Sequence, residues 1–267
     1  FASRPAWSFS PHGDAERTTR EPLVVSEFGL WGLPKPSALR SADAAEPWWF
    51  ETGQNWGDGV AYPHGIEQRY AAYGLDGVFP SFDDFIEAAQ WYQYENLKYQ
   101  IETIRAHASI AGYVITEFTD VHWEANGLLD IERNPRIFHD RFSAINADTV
   151  IVPMLGQRAH WAASTLRLTP RIAAGGQAVP QGARLTWSLE GFDPTGSVAV
   201  DAIEALAASD TPEIALELPS VDSARMVRLH LVLQADSNEI ARNHVGIALY
   251  PPHRREGLLS VATRDKD

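Results

Sequence analysis

The chain contains no cysteine. Disulfides, thiolate metal sites, iron–sulfur clusters and cysteine nucleophiles are all excluded by that one absence. The compartment stays open between cytoplasm and secretion, because cysteine-free proteins occur in both. Positive charge is also scarce: 22 Lys and Arg face 35 Asp and Glu, for a net charge of −13. So acidic a chain has no electrostatic footprint for phosphate backbones, which argues against a nucleic-acid partner. Long apolar runs are missing too. The longest are a few residues, such as Leu23-Val24-Val25 and Tyr113-Val114-Ile115, far short of the ~20 that a membrane span needs. No membrane partner is expected. Neither a phosphate-binding glycine loop, a dinucleotide fingerprint, a G-x-S-x-G elbow nor an H-E-x-x-H pair occurs, which removes the enzyme classes built on them. The first residues, Phe1-Ala2-Ser3-Arg4-Pro5, carry neither a signal pattern nor an initiator Met, so the chain is expected to begin within something longer.

What is present is the composition of a folded protein, 267 residues with 45% apolar and 21% charged side chains, enough for one large domain or two ordinary ones. The aromatic residues suggest two. Of 28 Phe, Trp and Tyr, all but Trp161, Trp187, Phe192 and Tyr250 precede Asp148. The excess of acids is likewise concentrated before that point. The expected domains are therefore residues 1–147 and 148–267.

In the first, Pro22–Ser26 and Ile110–Ile115 read as short strands buried on both faces. Between them, Phe82, Phe85, Ile86, Ala89, Leu97, Ile101, Ile104 and Ala108 recur at helical spacing, with Ser81 as N-cap and Asp84 three residues on. Asn134-Pro135 reads as the start of a second helix reaching about Asn146. The order strand, loop, helix, strand, loop, helix predicts parallel strands. In the second domain, Thr165–Ala173, Ala183–Leu189, Ser197–Ala202, Met226–Leu233 and His244–Tyr250 alternate or punctuate as strands, predicting an antiparallel sandwich.

Three features could carry chemistry. Glu27 directly follows the first strand, and the carboxyl ends of parallel barrel strands are where functional carboxylates gather. A carboxylate there can attack an anomeric carbon, or it can be a rim Glu paired with an Arg. Glu117 and Asp120 follow the second strand, so two neighbouring strands deliver acids to one rim, as a sugar site requires. Trp31, Trp48, Trp49, Trp56 and Trp123 all fall in the loops after these strands, where indoles stack on the apolar face of a pyranose or cover a core. Asp120, His122 and Glu124 alternate along an extended segment in a weak metal pattern, read equally as a polar loop tip; no metal is assigned.

These residues carry a resemblance. Val25-Ser26-Glu27-Phe28-Gly29 resembles the nucleophile strand of glycoside hydrolase family 2, the β-galactosidase, β-glucuronidase and β-mannosidase group. The run from Gly112 to Leu129, containing Thr116-Glu117-Phe118-Thr119-Asp120-Val121-His122-Trp123-Glu124-Ala125-Asn126-Gly127, is similar to that family's last barrel strand and the loop beyond it. Glu117 stands where the family commonly has Gln, and His122 where it commonly has Glu. The resemblance implies the C-terminal portion of a (β/α)8 TIM barrel, strands seven and eight with their helices, followed by an immunoglobulin-like β-sandwich with a C-terminal tail. It implies a retaining exo-β-glycosidase with Glu27 as nucleophile, and Glu117, Asp120, His122, Trp31, Trp48, Trp49 and Trp123 around the sugar. No cofactor is required. The family's acid/base belongs to barrel strand four, which this sequence does not contain. The expected partners are therefore a carbohydrate substrate and the N-terminal part of the same polypeptide, the chain alone being inactive. The oligomeric state stays open. The rival reading is a non-catalytic carbohydrate-binding or interaction protein that works through its sandwich.

Overall fold

The computed structural model describes residues 22–35, 66–121, 124–193 and 195–252. The fold is mixed α/β and rich in strands, and the chain forms two compact units. The first comprises residues up to Val152 together with Ile172–Val179 and Ile203–Ser209. The second comprises Pro153–Arg171, Pro180–Ala202 and the residues from Asp210 onward.

In the first unit, strand β1 (Leu23–Phe28) is followed by helix α1 (Ile66–Ala72), helix α2 (Phe82–Arg105) and strand β2 (Ile110–Ile115). β1 and β2 pair in parallel, with Val25 opposite Tyr113 and Phe28 opposite Ile115. The expected parallel strand–helix–strand order is therefore observed. α2 begins where its sequence says it should. The Ser81 hydroxyl accepts from the Asp84 N–H at 3.1 Å, satisfying a donor that the first turn leaves open. The α2 face bearing Tyr94, Leu97 and Ile101 packs with Phe138 and Ile145, and Phe28, Tyr113 and Ile115 of the two strands lie against it. Each large apolar side chain fully buried there contributes roughly 1.5–3 kcal/mol.

On the opposite face of the strand pair, Val24 is 48% and Val114 53% exposed. Parallel sheets are normally covered on both faces.

The helix expected from Asn134 does not start there. The Asp130 carboxylate accepts from the Asn134 backbone N–H at 2.8 Å and from its side-chain amide at 2.9 Å. Leu129 also bridges to Pro135. That loop consumes the cap residue, and only a 3-10 turn (His139–Arg141) followed by the four-residue helix α3 (Phe142–Ile145) forms.

Strands β3 (Val150–Val152), β6 (Arg171–Ala173) and β9 (Ala208–Asp210) form one small sheet. Arg105 at the end of α2 ties it down, donating to the Ala147 carbonyl at 3.1 Å and the Ala173 carbonyl at 3.2 Å.

The second unit holds a five-stranded sheet ordered β4 (Ala159–Trp161), β12 (Asn238–Tyr250), β11 (Arg225–Ala235), β7 (Arg184–Leu189) and β8 (Thr195–Ala199). It also holds the antiparallel pair β5 (Thr165–Leu168) and β10 (Ile214–Glu217). Alternation decides their faces. Leu185, Leu189, Leu229, Leu231, Leu233, Val245, Ile247 and Leu249 are buried on one side of the large sheet, as are Leu166, Leu168, Ile214 and Leu216 on the pair. The expected strand Thr165–Ala173 is broken in two at Thr169-Pro170, because proline has no N–H to continue a ladder. The Pro170 carbonyl instead accepts from Thr211 at 2.8 Å, and the two pieces join different sheets.

Candidate functional site

The site is built where β1 and β2 end. Their loops are joined by backbone hydrogen bonds, Thr116 N–H to the Phe28 carbonyl and Gly32 N–H to the Ala125 carbonyl, both at 2.7 Å. Three glutamines of α2 hold those loops from beneath. Gln90 donates to the Leu33 carbonyl at 2.8 Å and accepts from the Ile137 N–H at 2.9 Å. Gln93 donates to the Asn126 and Gly127 carbonyls at 3.0 and 3.1 Å. Gln100 donates to the Gly29 carbonyl at 3.3 Å. Gln93 is wholly buried, and the contact is so close that a Cβ on Gly32 would lie 2.0 Å from its Oε1. These glutamines carry no sequence motif. The signal that could have found them is three amides on the same helical face as Ile86, Leu97 and Ile101.

Glu27 is exposed at the end of β1, where a register irregularity between Val25 and Phe28 breaks the strand's alternation. Glu117, two residues past β2, is half-buried. Burial raises its carboxyl pKa above the usual range, and the charges of Glu124 and Glu27 raise it further. The structure thus brings Glu27, Glu117 and Glu124 within electrostatic reach of one another. Glu117 Oε1 and the neighbouring Asn126 Oδ1 are buried without a hydrogen-bond partner among the described residues. An acceptor left unpaired in this way costs free energy unless a ligand or water engages it. Trp31, in the loop after β1, is 44% exposed. Trp48, Trp49, Trp56, His122 and Trp123 lie outside the described residues.

Asp120 does something other than expected. It is turned inward, 5% exposed. Arg136 Nη2 donates to both of its oxygens at 2.7 Å, and the Gly127 N–H donates to it at 2.9 Å. Arg136 Nε continues to the Gly127 carbonyl at 3.3 Å. Burial pushes the Asp120 carboxyl up to about 7, with Arg136 and Gly127 pulling the other way. Asp120 is therefore a clamp that shapes the loop carrying Glu117 and Glu124, since its oxygens are occupied by the protein's own donors. Gly127 is required at the clamp: a Cβ there would lie 2.4 Å from the Asp120 nitrogen and the Leu129 oxygen. In the Asp120-x-His122-x-Glu124 pattern, His122 lies outside the described residues, and the Asp120 oxygens are taken by Arg136 and Gly127.

Half-buried Glu117, with its raised pKa, can present a proton as well as a lone pair.

No family model and no curated protein matches the chain. Among solved structures, it is similar to a β-galactosidase so described from Bacteroides fragilis at 14% identity, covering 88% of this chain and 29% of that one, with a TM-score of 0.26. It is also similar to the Pseudomonas fluorescens alkylpurine DNA glycosylase AlkC bound to DNA containing an abasic site analog, at 11% identity over 41% of this chain and 33% of that one, TM-score 0.28. A third likeness is to the Bacillus subtilis sporulation control protein Spo0M, at 12% identity over 39% and 50%, TM-score 0.26. The chain spans at most half the length of each of these proteins, and likenesses so distant assign neither fold nor activity.

Proposed function

We propose that the chain is the nucleophile-bearing C-terminal portion of a retaining exo-β-glycosidase, β-galactosidase-like, acting on terminal β-linked sugars. In this reading the first unit contains the last two strands of a (β/α)8 barrel, and the second is an immunoglobulin-like sandwich. The observation that carries the reading is the juxtaposition of Glu27 and Glu117 at the same end of two parallel strands joined through a helix. The half-exposed apolar side chains Val24 and Val114 on the β1–β2 face support it as well, since the other barrel strands would cover that face.

Glu27 attacks the anomeric carbon and forms a glycosyl ester. A carboxylic acid from the remainder of the barrel, about 5–5.5 Å away, protonates the departing oxygen and later deprotonates the water that releases the sugar. Glu117, inclined to hold its proton, exchanges hydrogen bonds with a sugar hydroxyl, and Trp31 stacks on the apolar face of the ring. No metal or organic cofactor enters this chemistry.

The test is hydrolysis of a panel of aryl β-glycosides by the polypeptide that includes the whole barrel. Turnover that disappears in Glu27→Gln, with substrate binding kept, supports the reading. Turnover unaffected by that change refutes it. Sugar binding by residues 148–267 alone, with no turnover by the whole, favours a binding protein working through its sandwich.

A further inference from the structure

The second unit carries a pair of histidines that the glycosidase reading does not use. In the antiparallel β11–β12 pair, His230 lies directly opposite His244. Their ring centroids are 6.1 Å apart, with the planes inclined at 42°. Both rings are on the outward side of the sheet, because Leu229, Leu231 and Val245, which flank them, are buried on the other side. His230 also lines an open cleft of about 480 Å³, with Thr186, Ser188, Thr195 and Ser197 around it.

We propose that His230 and His244 form a two-histidine site for a borderline divalent transition cation, of which Cu2+, Ni2+ and Zn2+ are the chemical class. Imidazole nitrogen suits these ions, and their bonds to it are about 2.0–2.1 Å long. Directly opposed residues on antiparallel strands have Cβ atoms about 4.5–5.5 Å apart. Rotation about the side-chain bonds therefore brings one nitrogen from each ring to a common ion without moving the backbone. Both residues are half-buried, which restricts the conformations they must give up on binding.

The cleft lies on the β7–β8 side of His230, where the hydroxyls of Thr186, Ser188, Thr195 and Ser197 can hold water or an exchangeable ligand near an ion bound to that ring. Three arginines share this face, and Arg184 is engaged by the Ser197 hydroxyl of the cleft, to which it donates. Arg228 pairs with Glu190 at 3.7 Å, and Arg242 pairs with Glu239.

Ni2+ titrated calorimetrically into the full chain at about pH 7.5 tests the site. We expect one strong site per chain, with affinity reduced roughly 10-fold or more in His230→Asn and in His244→Asn and unchanged in the control His107→Asn. A second readout needs no substitution. Substoichiometric Cu2+ should broaden the ring resonances of His230 and His244 ahead of the other histidines of the chain. Absence of Ni2+ binding, unchanged affinity in both variants, or earlier broadening at other histidines overturns the assignment.

Discussion

Replacing Arg136 by Met keeps most of the buried volume but removes the cation from the Asp120 clamp, and the cost depends on pH in a way the structure specifies. The folded-state pKa of Asp120, about 7, lies above its ordinary 3.8. The fold thus favours the protonated carboxyl, and the native protein loses stability as pH rises from about 4 to about 7. Above that range it ionises against Arg136 and loses no more. In Arg136→Met the opposing pull is gone, and the folded pKa moves higher still. At about pH 6 both proteins hold a neutral Asp120, so the variant loses only hydrogen bonds, about 1–3 kcal/mol. Above pH 7 the native carboxyl ionises while the variant's must stay protonated, and each further pH unit adds about 1.4 kcal/mol. By about pH 8.5 the gap reaches roughly 3–5 kcal/mol, the range found when a buried pair loses one partner. Urea unfolding of both proteins at about pH 6 and 8.5 measures it. A gap that is the same at both pH values refutes the reasoning, because the buried carboxylate would then not be what Arg136 compensates.

Three further outcomes follow from the same geometry. Glu117 also has a raised folded pKa, so its ionisation opposes folding as pH rises above about 4.5. Glu117→Gln should flatten the pH–stability curve on that side and leave the protein at least as stable at neutral pH; a steeper curve would contradict the assigned burial. Gly127→Ala forces a methyl against backbone atoms 2.4 Å away, and should cost about 1–3 kcal/mol or more in thermal unfolding. Equal stability would mean that the loop has room the structure does not show. Trp31→Ala should raise KM for a β-glycoside with little change in kcat, since stacking acts on the bound sugar before and during reaction.

Much of the first unit was legible in the sequence because local and tertiary demands agree there. The apolar runs at Leu23 and Ile110 form strands as their composition demands, though only the side facing α2 is covered, and the 3.6-residue spacing of Ile86, Leu97, Ile101 and Ile104 could only serve a helix. Ser81 caps that helix by a contact within one turn, which needs no tertiary knowledge. Asn134-Pro135 misleads for the opposite reason. Its cap signal is genuine, but Asp130, four residues earlier, takes the Asn134 N–H first. Glu27 and Glu117 stand out as acids at strand ends, and their mutual influence follows from parallel pairing. Asp120 looked equally exposed by position, and only its Arg136 partner, 16 residues on, turns it inward. Gln90, Gln93 and Gln100 are invisible to any pattern that equates polar with solvated, because their partners are loop carbonyls brought near by the fold.

The central claim is that Glu27 is a glycosyl nucleophile, and covalent trapping tests it most directly. The barrel-complete polypeptide is inactivated with a 2-deoxy-2-fluoro-β-galactoside, digested, and mapped by mass spectrometry. The account predicts one glycosylated peptide, with the sugar esterified to Glu27. A label on Glu117, Glu124 or any other residue, or no label from any of a panel of fluorinated sugars, would contradict it.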